Sequence, residues 1–472
     1  MTQRIGDHSY PATHSGFIGR QAVVIGAGIA GLAAAGALAD WFERVLVLER
    51  DSPADALVPR PGTPQAGHTH GLLVGGQCAL EDLFPGIGED LVRAGAVRMR
   101  INQDLREEFP DRAPMPQRDF GRIGYTMTRP LIETVLRRRV SQRANVTLHH
   151  DTRALSIVAT ANGQRVAAVR CVSAARTLTT DADCSETVPA DLVVEASGRG
   201  HLTSALLRSI GRPLPEETTI GVDIGYTTAV MDIPHDAPPD WKLVLTHPNA
   251  PHSTRRAVMI PVEGNRWMLS VAGRGNERPP GEWSELLAYL RQLSTRTIYD
   301  AVRHARPTAR LARFGFRESA WRHFERLEAF PDGLIPIGDA ICRFNPIYGQ
   351  GMTVAAKEAS LLHRLLGACT SERDPLRGLG QLFLAEAKSL IETPWTMASI
   401  PDFAVPATRG ERPADIEHSL RFGRALSRVA ARDEAVQRLV VEVWHMLKPI
   451  TAYQDPALVR LVEAEMMEST VG

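Results

Sequence analysis

The stretch from Gln21 to Glu49 restricts the fold more than any other. Gln21-Ala-Val-Val-Ile25 is short, apolar and β-branched, as expected of a strand buried on both faces of a parallel sheet. It runs straight into Gly26-Ala-Gly28-Ile-Ala-Gly31. Leu32 to Ala39 then reads as a helix, and Val45-Leu-Val-Leu-Glu49 as a second strand ending on a carboxylate 18 residues past Gly31. Strand, glycine turn, helix, strand and acid in this order predict a dinucleotide-binding unit. Gly26 permits the tight turn, Gly28 lets the backbone approach a pyrophosphate, and Gly31 with Ala35 lets helix and sheet pack closely. Free N–H groups at the helix start would take the phosphates, and Glu49 the ribose hydroxyls. Glycines that merely pack a helix on a sheet share the bare spacing; the two strands and the acid separate the readings. The unit opens the fold, which favours FAD over NAD.

The same stretch imitates a membrane element. Ala22 to Ala39 is eighteen residues without a charge, preceded by Arg20 and closing Ala-Leu-Ala, which also resembles a signal peptide. Gly26, Gly28, Gly31, Gly36 and the many alanines make it a poor bilayer helix, so no transmembrane segment is expected.

Lys+Arg and Asp+Glu both number 54, for a formal charge of zero. Nucleic-acid binding is not expected, because the one dense basic run, Arg137-Arg138-Arg139, sits in a helical pattern and reads as a solvated face. With 44% hydrophobic and 23% charged residues, the chain has the composition of a folded protein rather than a disordered one. The five cysteines, Cys78, Cys171, Cys184, Cys342 and Cys369, are odd in number and scattered, with no C-x-x-C. That argues against a disulfide framework and most zinc signatures, and predicts a reducing, cytoplasmic setting.

A second glycine-rich turn lies far along the chain. Leu334-Ile-Pro-Ile-Gly338-Asp339-Ala reads as a strand entering a turn, followed by Asn345-Pro346-Ile-Tyr348-Gly349-Gln-Gly351-Met352 and a helical pattern from Thr353 to Leu366. Together with the N-terminal unit, this resembles the Gly-Asp motif of flavin monooxygenases with the para-hydroxybenzoate hydroxylase fold. The resemblance implies an α/β protein: a Rossmann-like FAD-binding domain, a β-sheet substrate domain and C-terminal helices. It implies that Asp339 holds the ribityl chain and that Pro346, Gly349 and Gly351 line the isoalloxazine, where the helix dipole would stabilise negative charge on the reduced ring. It extends the cofactor contacts to Ile29, Ala30, Arg50, Gln65 and Met352. Arg129, in Tyr125-Thr-Met-Thr-Arg129-Pro, resembles the family's arginine at a helix start that reaches the FAD phosphates or ribose. Val146-Thr-Leu-His resembles the strand leading to the adenine, with Ala154 as a backbone contact; an ordinary loop residue is the alternative. Ala161-Asn-Gly163 predicts a hairpin turn. In Ala190-Asp-Leu-Val-Val-Glu-Ala-Ser197-Gly198, Ser-Gly stands where the family has Asp-Gly. That departure predicts slow reduction by NADPH or NADH alone, with substrate or a separate flavin reductase required.

Within that fold, Arg60-Pro-Gly-Thr-Pro-Gln65-Ala-Gly-His68-Thr-His70 is similar to a segment of polyether epoxidases of the monensin and lasalocid type. So are Gly338 to Met352 and the later Pro394-Trp395, Asp402, Pro406, Gly410 and Pro413. His68 and His70 would share a face if extended; a metal site lacks a third ligand at motif spacing, and a structural loop remains open. Expected segments are FAD-binding at 20–75, 119–211 and 316–370, a substrate or cap segment at 76–118, a substrate-binding sheet at 212–315 and helices at 371–472. Tyr226 and Trp267 are candidate substrate-wall residues, Trp267 reading more readily as a core aromatic. From about residue 415, apolar Leu420, Ala425, Val429, Leu439, Val443 and Leu447 predict helices packed against the two sheets.

The resemblance implies reduction of FAD, addition of O₂ at C4a and oxygen transfer from the hydroperoxide to a bulky apolar metabolite, by epoxidation or hydroxylation. No residue identifies itself as a catalytic base; His70 and Tyr348 are candidates for the flavin face. Rival readings are an aromatic hydroxylase, a reductase of isoprenoid double bonds, a flavin-binding sensor and a flavin halogenase. The halogenase needs a lysine beside its channel and usually has a Trp-x-Trp segment. Only Lys242, Lys357, Lys388 and Lys448 exist, and no two tryptophans lie two apart.

Overall fold

A computed structural model describes residues 16–53, 57–173 and 185–471; Cys184 and the polar lead before residue 16 lie outside them. Five parallel strands form the nucleotide sheet, in the order Leu334–Pro336, Leu192–Glu195, Gly19–Ile25, Phe42–Leu48, Val146–His149. Gly19–Ile25 lies at the centre, with Val24 paired to Val194 on one side and Val47 on the other. Ala22 to Ile25 are buried, as a strand covered on both faces must be.

Helix Ile29–Ala39 follows the glycine turn, and ten of its eleven residues are buried. This accounts for the uncharged stretch without a membrane: the helix has no solvent face to colour. It packs against helix Gly351–Ala368, and no described helix is long and apolar enough to cross a membrane. The hairpin expected at Ala161-Asn-Gly163 joins antiparallel strands Thr152–Ala159 and Val166–Ser173.

The second sheet has seven strands, ordered Cys342–Arg343, Ala312–Arg322, Glu217–Asp232, Arg266–Arg274, Arg256–Val262, Leu243–Thr246, Leu105–Glu108. The expected boundary at residue 315 falls inside Ala312–Arg322, and Leu105–Glu108 joins this sheet from the expected cap segment. One face is covered by helices Trp283–Leu290 and Thr297–Val302, which bury Trp241, Trp267, Leu269 and Val271. The opposite face looks toward the nucleotide sheet.

Helix Leu379–Phe403 carries Pro394 and Pro401 within it and packs against Gly351–Ala368. The helices Ile416–Arg432, Glu434–Trp444 and Pro456–Val471 close the chain. They do not lie across both sheets as expected. Ile416 and Leu420 meet the seven-stranded sheet near Val222 and Phe316. Ala425, Val429, Val436 and Val462 instead form a separate core with Met115. A three-helix cluster can bury its stripes internally, which periodicity alone does not distinguish from packing on a sheet.

Candidate active site

One continuous cavity of about 800 Å³ runs from the glycine turn of the nucleotide sheet to the face of the seven-stranded sheet, within the usual size of small-molecule sites. Gly26 has φ +101°, a conformation glycine adopts at no steric cost. Its carbonyl lies 1.8 Å from where a Cβ on Gly31 would stand, so Gly31 is required for helix and turn to meet. Gly28 is different. The nearest atom to a Cβ there is an Arg129 guanidinium nitrogen 3.8 Å away, so the space beside Gly28 is open and faces the cavity.

Glu49 is tied into this turn. Its Oε2 accepts from the Ala27 amide at 2.7 Å and its Oε1 from the Asp51 amide at 2.9 Å. Arg60 reaches Glu49 (3.2 Å), Asp51 (2.9 Å) and Glu133 (2.9 Å), all four side chains being buried. Glu133 in turn accepts from Arg129 Nε at 2.8 Å. Arg129 stands at the start of helix Arg129–Ser141, whose Thr128 cap accepts from Leu131 N, and is thereby held against the glycine turn. With Arg137 4.0 Å from Glu133, three guanidiniums meet three carboxylates and compensate the cluster, and loss of one partner would leave an uncompensated charge.

Across the cavity, Gly338 has φ +64°, and its amide donates to Glu358 Oε2 at 2.6 Å. That fixes the turn presenting Asp339 to the cavity. Burial pushes the Asp339 carboxyl upward, opposed by Arg129, Arg343 and Arg322. Burial, aided by Asp339, carries Glu358 up to about 8. Gly349 has φ +67° and leads into helix Gly351–Ala368.

Toward the seven-stranded sheet the walls change character. Tyr226 donates to Asn345 Oδ1 (3.2 Å), Tyr348 donates to Asp402 Oδ1 (3.1 Å), and Asn345 Nδ2 donates to both Asp402 oxygens (3.0 and 3.1 Å). Arg274 closes the network as an ion pair to Asp402. His68 Nδ1 lies 2.7 Å from Thr228 Oγ1, which lies 2.5 Å from Ser270 Oγ. His70 Nδ1 lies 2.8 Å from the His68 carbonyl, so it carries the proton and donates, and Nε2 faces Arg129 at 3.4 Å. Burial lowers His68 to about 4; burial and the Arg129 charge lower His70 to about 3. Both imidazoles are neutral at pH 7. No group of three metal-ligating side chains occurs among the described residues.

The cavity brings together Gly26, Gly28, Ile29, Ala30, Glu49, Arg50, Gln65, Arg129, Ala154, Asp339, Pro346, Gly349, Gly351 and Met352, with His70, Tyr226 and Tyr348. Gly31, named with them, does not line the cavity and lies where helix and turn pack. Trp267 is a correction: it points to the far face and stacks on Trp241 with ring centroids 5.8 Å apart. Residues alternate across a pleated strand, so Ser270 and Ala272 reach the cavity while Trp267, Leu269 and Val271 fill the second core. The sequence reading gave Arg60 no role, and it missed Arg256 and the wall residues Val440, Val441, Trp444 and His445. Arg256-Ala-Val258-Met-Ile260 does show the period-2 pattern that could have found the first cavity strand.

Residues of the glycine turn, Arg129 and Asp339 thus frame an open, backbone-lined trough, the donor set a flavin dinucleotide requires. A family model described as an FAD binding domain matches residues 20–379, and the chain belongs to that family of flavin-dependent oxidoreductases. Protein Rv3254 of Mycobacterium tuberculosis (strain ATCC 25618 / H37Rv) is 32% identical over 439 residues, covering 88% of this chain and 86% of the relative. Among solved structures, the flavin-dependent brominase Bmp2 aligns with a TM-score of 0.66 at 14% identity, covering 96% of this chain and 100% of its own. The p-nitrophenol 4-monooxygenase PnpA of Pseudomonas putida DLL-E4 aligns at 0.61 and 16% identity, covering 92% and 99%. At such identities these two likenesses speak for the fold.

Proposed function

We propose that this chain is an FAD-dependent monooxygenase that adds one oxygen atom of O₂ to a bulky, largely apolar substrate, by epoxidation or hydroxylation, in the cytoplasm. The observation that carries the reading is the continuity of the cavity from the Gly26–Gly28 turn to the apolar side chains Leu245, Val258, Ile260 and Phe314. Bound there, FAD would supply reduction by NADPH or NADH, directly or through a flavin reductase, and the activation of O₂.

The chain's own residues do the rest. Gly28 leaves room for the pyrophosphate, Arg129 brings positive charge to it, and Glu49 and Asp339 offer acceptors to ribose and ribityl hydroxyls. The Gly349–Gly351 turn and the helix it opens direct free amides at the ring. Leu245, Val258 and Ile260 hold apolar substrate and keep water out; each buried methylene contributes about 0.8 kcal/mol. Tyr226 and Tyr348 donate their protons into the Asn345–Asp402 network, and His70 Nε2 faces Arg129. None of the three stands ready as a base, which suits oxygen transfer to an alkene better than hydroxylation of a phenol. Halogenation is the weaker reading, because none of the four lysines lines the cavity. Incubation with ¹⁸O₂, NADPH, a flavin reductase and polyene or polyketide alkenes should give products carrying one ¹⁸O. Products formed without O₂, or halogenated when bromide or chloride is supplied, would refute the monooxygenase.

A further inference from the structure

Strand Arg256–Val262 faces the cavity with Arg256, Val258 and Ile260. Two apolar residues there are ordinary; an arginine is not. Arg256 is only 7% exposed, and its side chain makes no ion pair or hydrogen bond with any described residue. Its guanidinium lies over the Tyr348 ring, 5.5 Å from the centroid. Its neighbour Arg255 points to the opposite face and finds Glu277. The charge of Arg256 is felt by the Asp402 carboxylate, which is already engaged by Arg274, Asn345 and Tyr348. Here one carboxylate serves two guanidiniums, so the wall beside Tyr348 carries one surplus positive charge. None of the Arg256 nitrogens is among the side-chain nitrogens sealed off from both space and partner, so they open onto the cavity. A buried cation without a partner is strongly unfavourable, and an anion arriving in the cavity would relieve it.

Resting on the reading of this cavity as a substrate site, we propose that Arg256 is the anchor for a substrate carboxylate. The substrate is then an apolar chain or ring system bearing one carboxylate, which docks on the guanidinium over Tyr348 while the carbon skeleton lies along Val258 and Ile260. Tyr226 and Tyr348 cannot take this role, since both hydroxyl protons are given to Asn345 and Asp402. A planar guanidinium binds both carboxylate oxygens at once and so fixes the direction in which the skeleton extends.

The test is binding to the flavin-loaded protein, read from perturbation of the flavin absorption bands. Dodecanoate and 4-butylbenzoate are titrated against their methyl esters. The native protein should bind each acid at least tenfold more tightly than its ester. Arg256→Gln should abolish that preference while leaving ester affinity unchanged, and Arg256→Lys should restore part of it. Equal affinity of acid and ester in the native protein would overturn the proposal, and so would equal weakening of both in Arg256→Gln. If Arg256→Gln does not fold, the native acid-to-ester ratio and Arg256→Lys still decide. Flavin content, measured separately on every protein, reports on the cofactor assignment alone.

Discussion

Two glycines three positions apart do different work, and substitution separates them. The space beside Gly28 is open, so a valine there fits the protein but fills the trough expected to hold the pyrophosphate. Gly28→Val should therefore fold with near-native stability and retain less than a tenth of the bound flavin, measured by absorbance against protein concentration. Undiminished flavin in that variant would sink the assignment of the trough. Gly31→Ala drives a methyl into the Gly26 carbonyl, and should lower the melting temperature outright, at a cost of at least 1–3 kcal/mol. The sequence makes this division readable, because the motif assigns one glycine to the ligand and one to packing. It does not make Arg256 readable. Fifty arginines are spread through the chain, and only the fold shows which one is buried without a carboxylate.

The helix Gly351–Ala368 does more than present its N-terminus. Two turns along, Glu358 reaches back and accepts from the Gly338 amide, so one element positions both the ring-facing turn and the Asp339 turn. Glu358 lies fully inside, and burial carries its carboxyl from 4.5 up to about 8. The folded state therefore holds a proton that the unfolded chain releases above pH 4.5. The stability this group contributes is complete below 4.5 and is lost as pH rises through 8. Glu358→Gln keeps an oxygen for Gly338 and does not titrate. Its stability relative to the native protein should rise between pH 5 and 7.5 by up to about 1.4 kcal/mol per pH unit, followed by denaturant melts at several pH values. A pH-independent difference would show that Glu358 does not titrate in this window. At this scale the parallel strands and the two glycine turns were legible, because their patterns are local. The facing of Trp267 was not: a strand's period says which residues share a side, and only the covering helices say which side is core.

Across the whole molecule the C-terminal helices complete the cavity. Trp444 and His445 line it, the His445 carbonyl accepts from Gly75 N, and the Met446 carbonyl accepts from Lys357 Nζ. The Gly75–His445 contact joins residues 370 positions apart, which no local pattern announces. Trp444→Ala should open the wall to water while leaving the flavin trough intact. Expected outcomes are unchanged flavin content and a several-fold rise in hydrogen peroxide per NADPH consumed, read by a peroxidase-coupled assay. Unchanged coupling would mean that the C-terminal helices play no part in shielding the reaction.

The trough is drawn from three distant stretches: the turn at Gly26–Gly28, Arg129, and the two turns between Gly338 and Gly351. Leu334–Pro336, which leads into the last contributor and pairs at the sheet's edge, follows the Gly26–Gly28 turn by more than 300 residues. A ribosome-bound chain thus carries an unfinished nucleotide sheet with an exposed border until Leu334–Pro336 has emerged. Flavin loading is then a late event that waits for the turns between Gly338 and Gly351, and cells short of riboflavin would accumulate a protein whose trough is formed but unfilled.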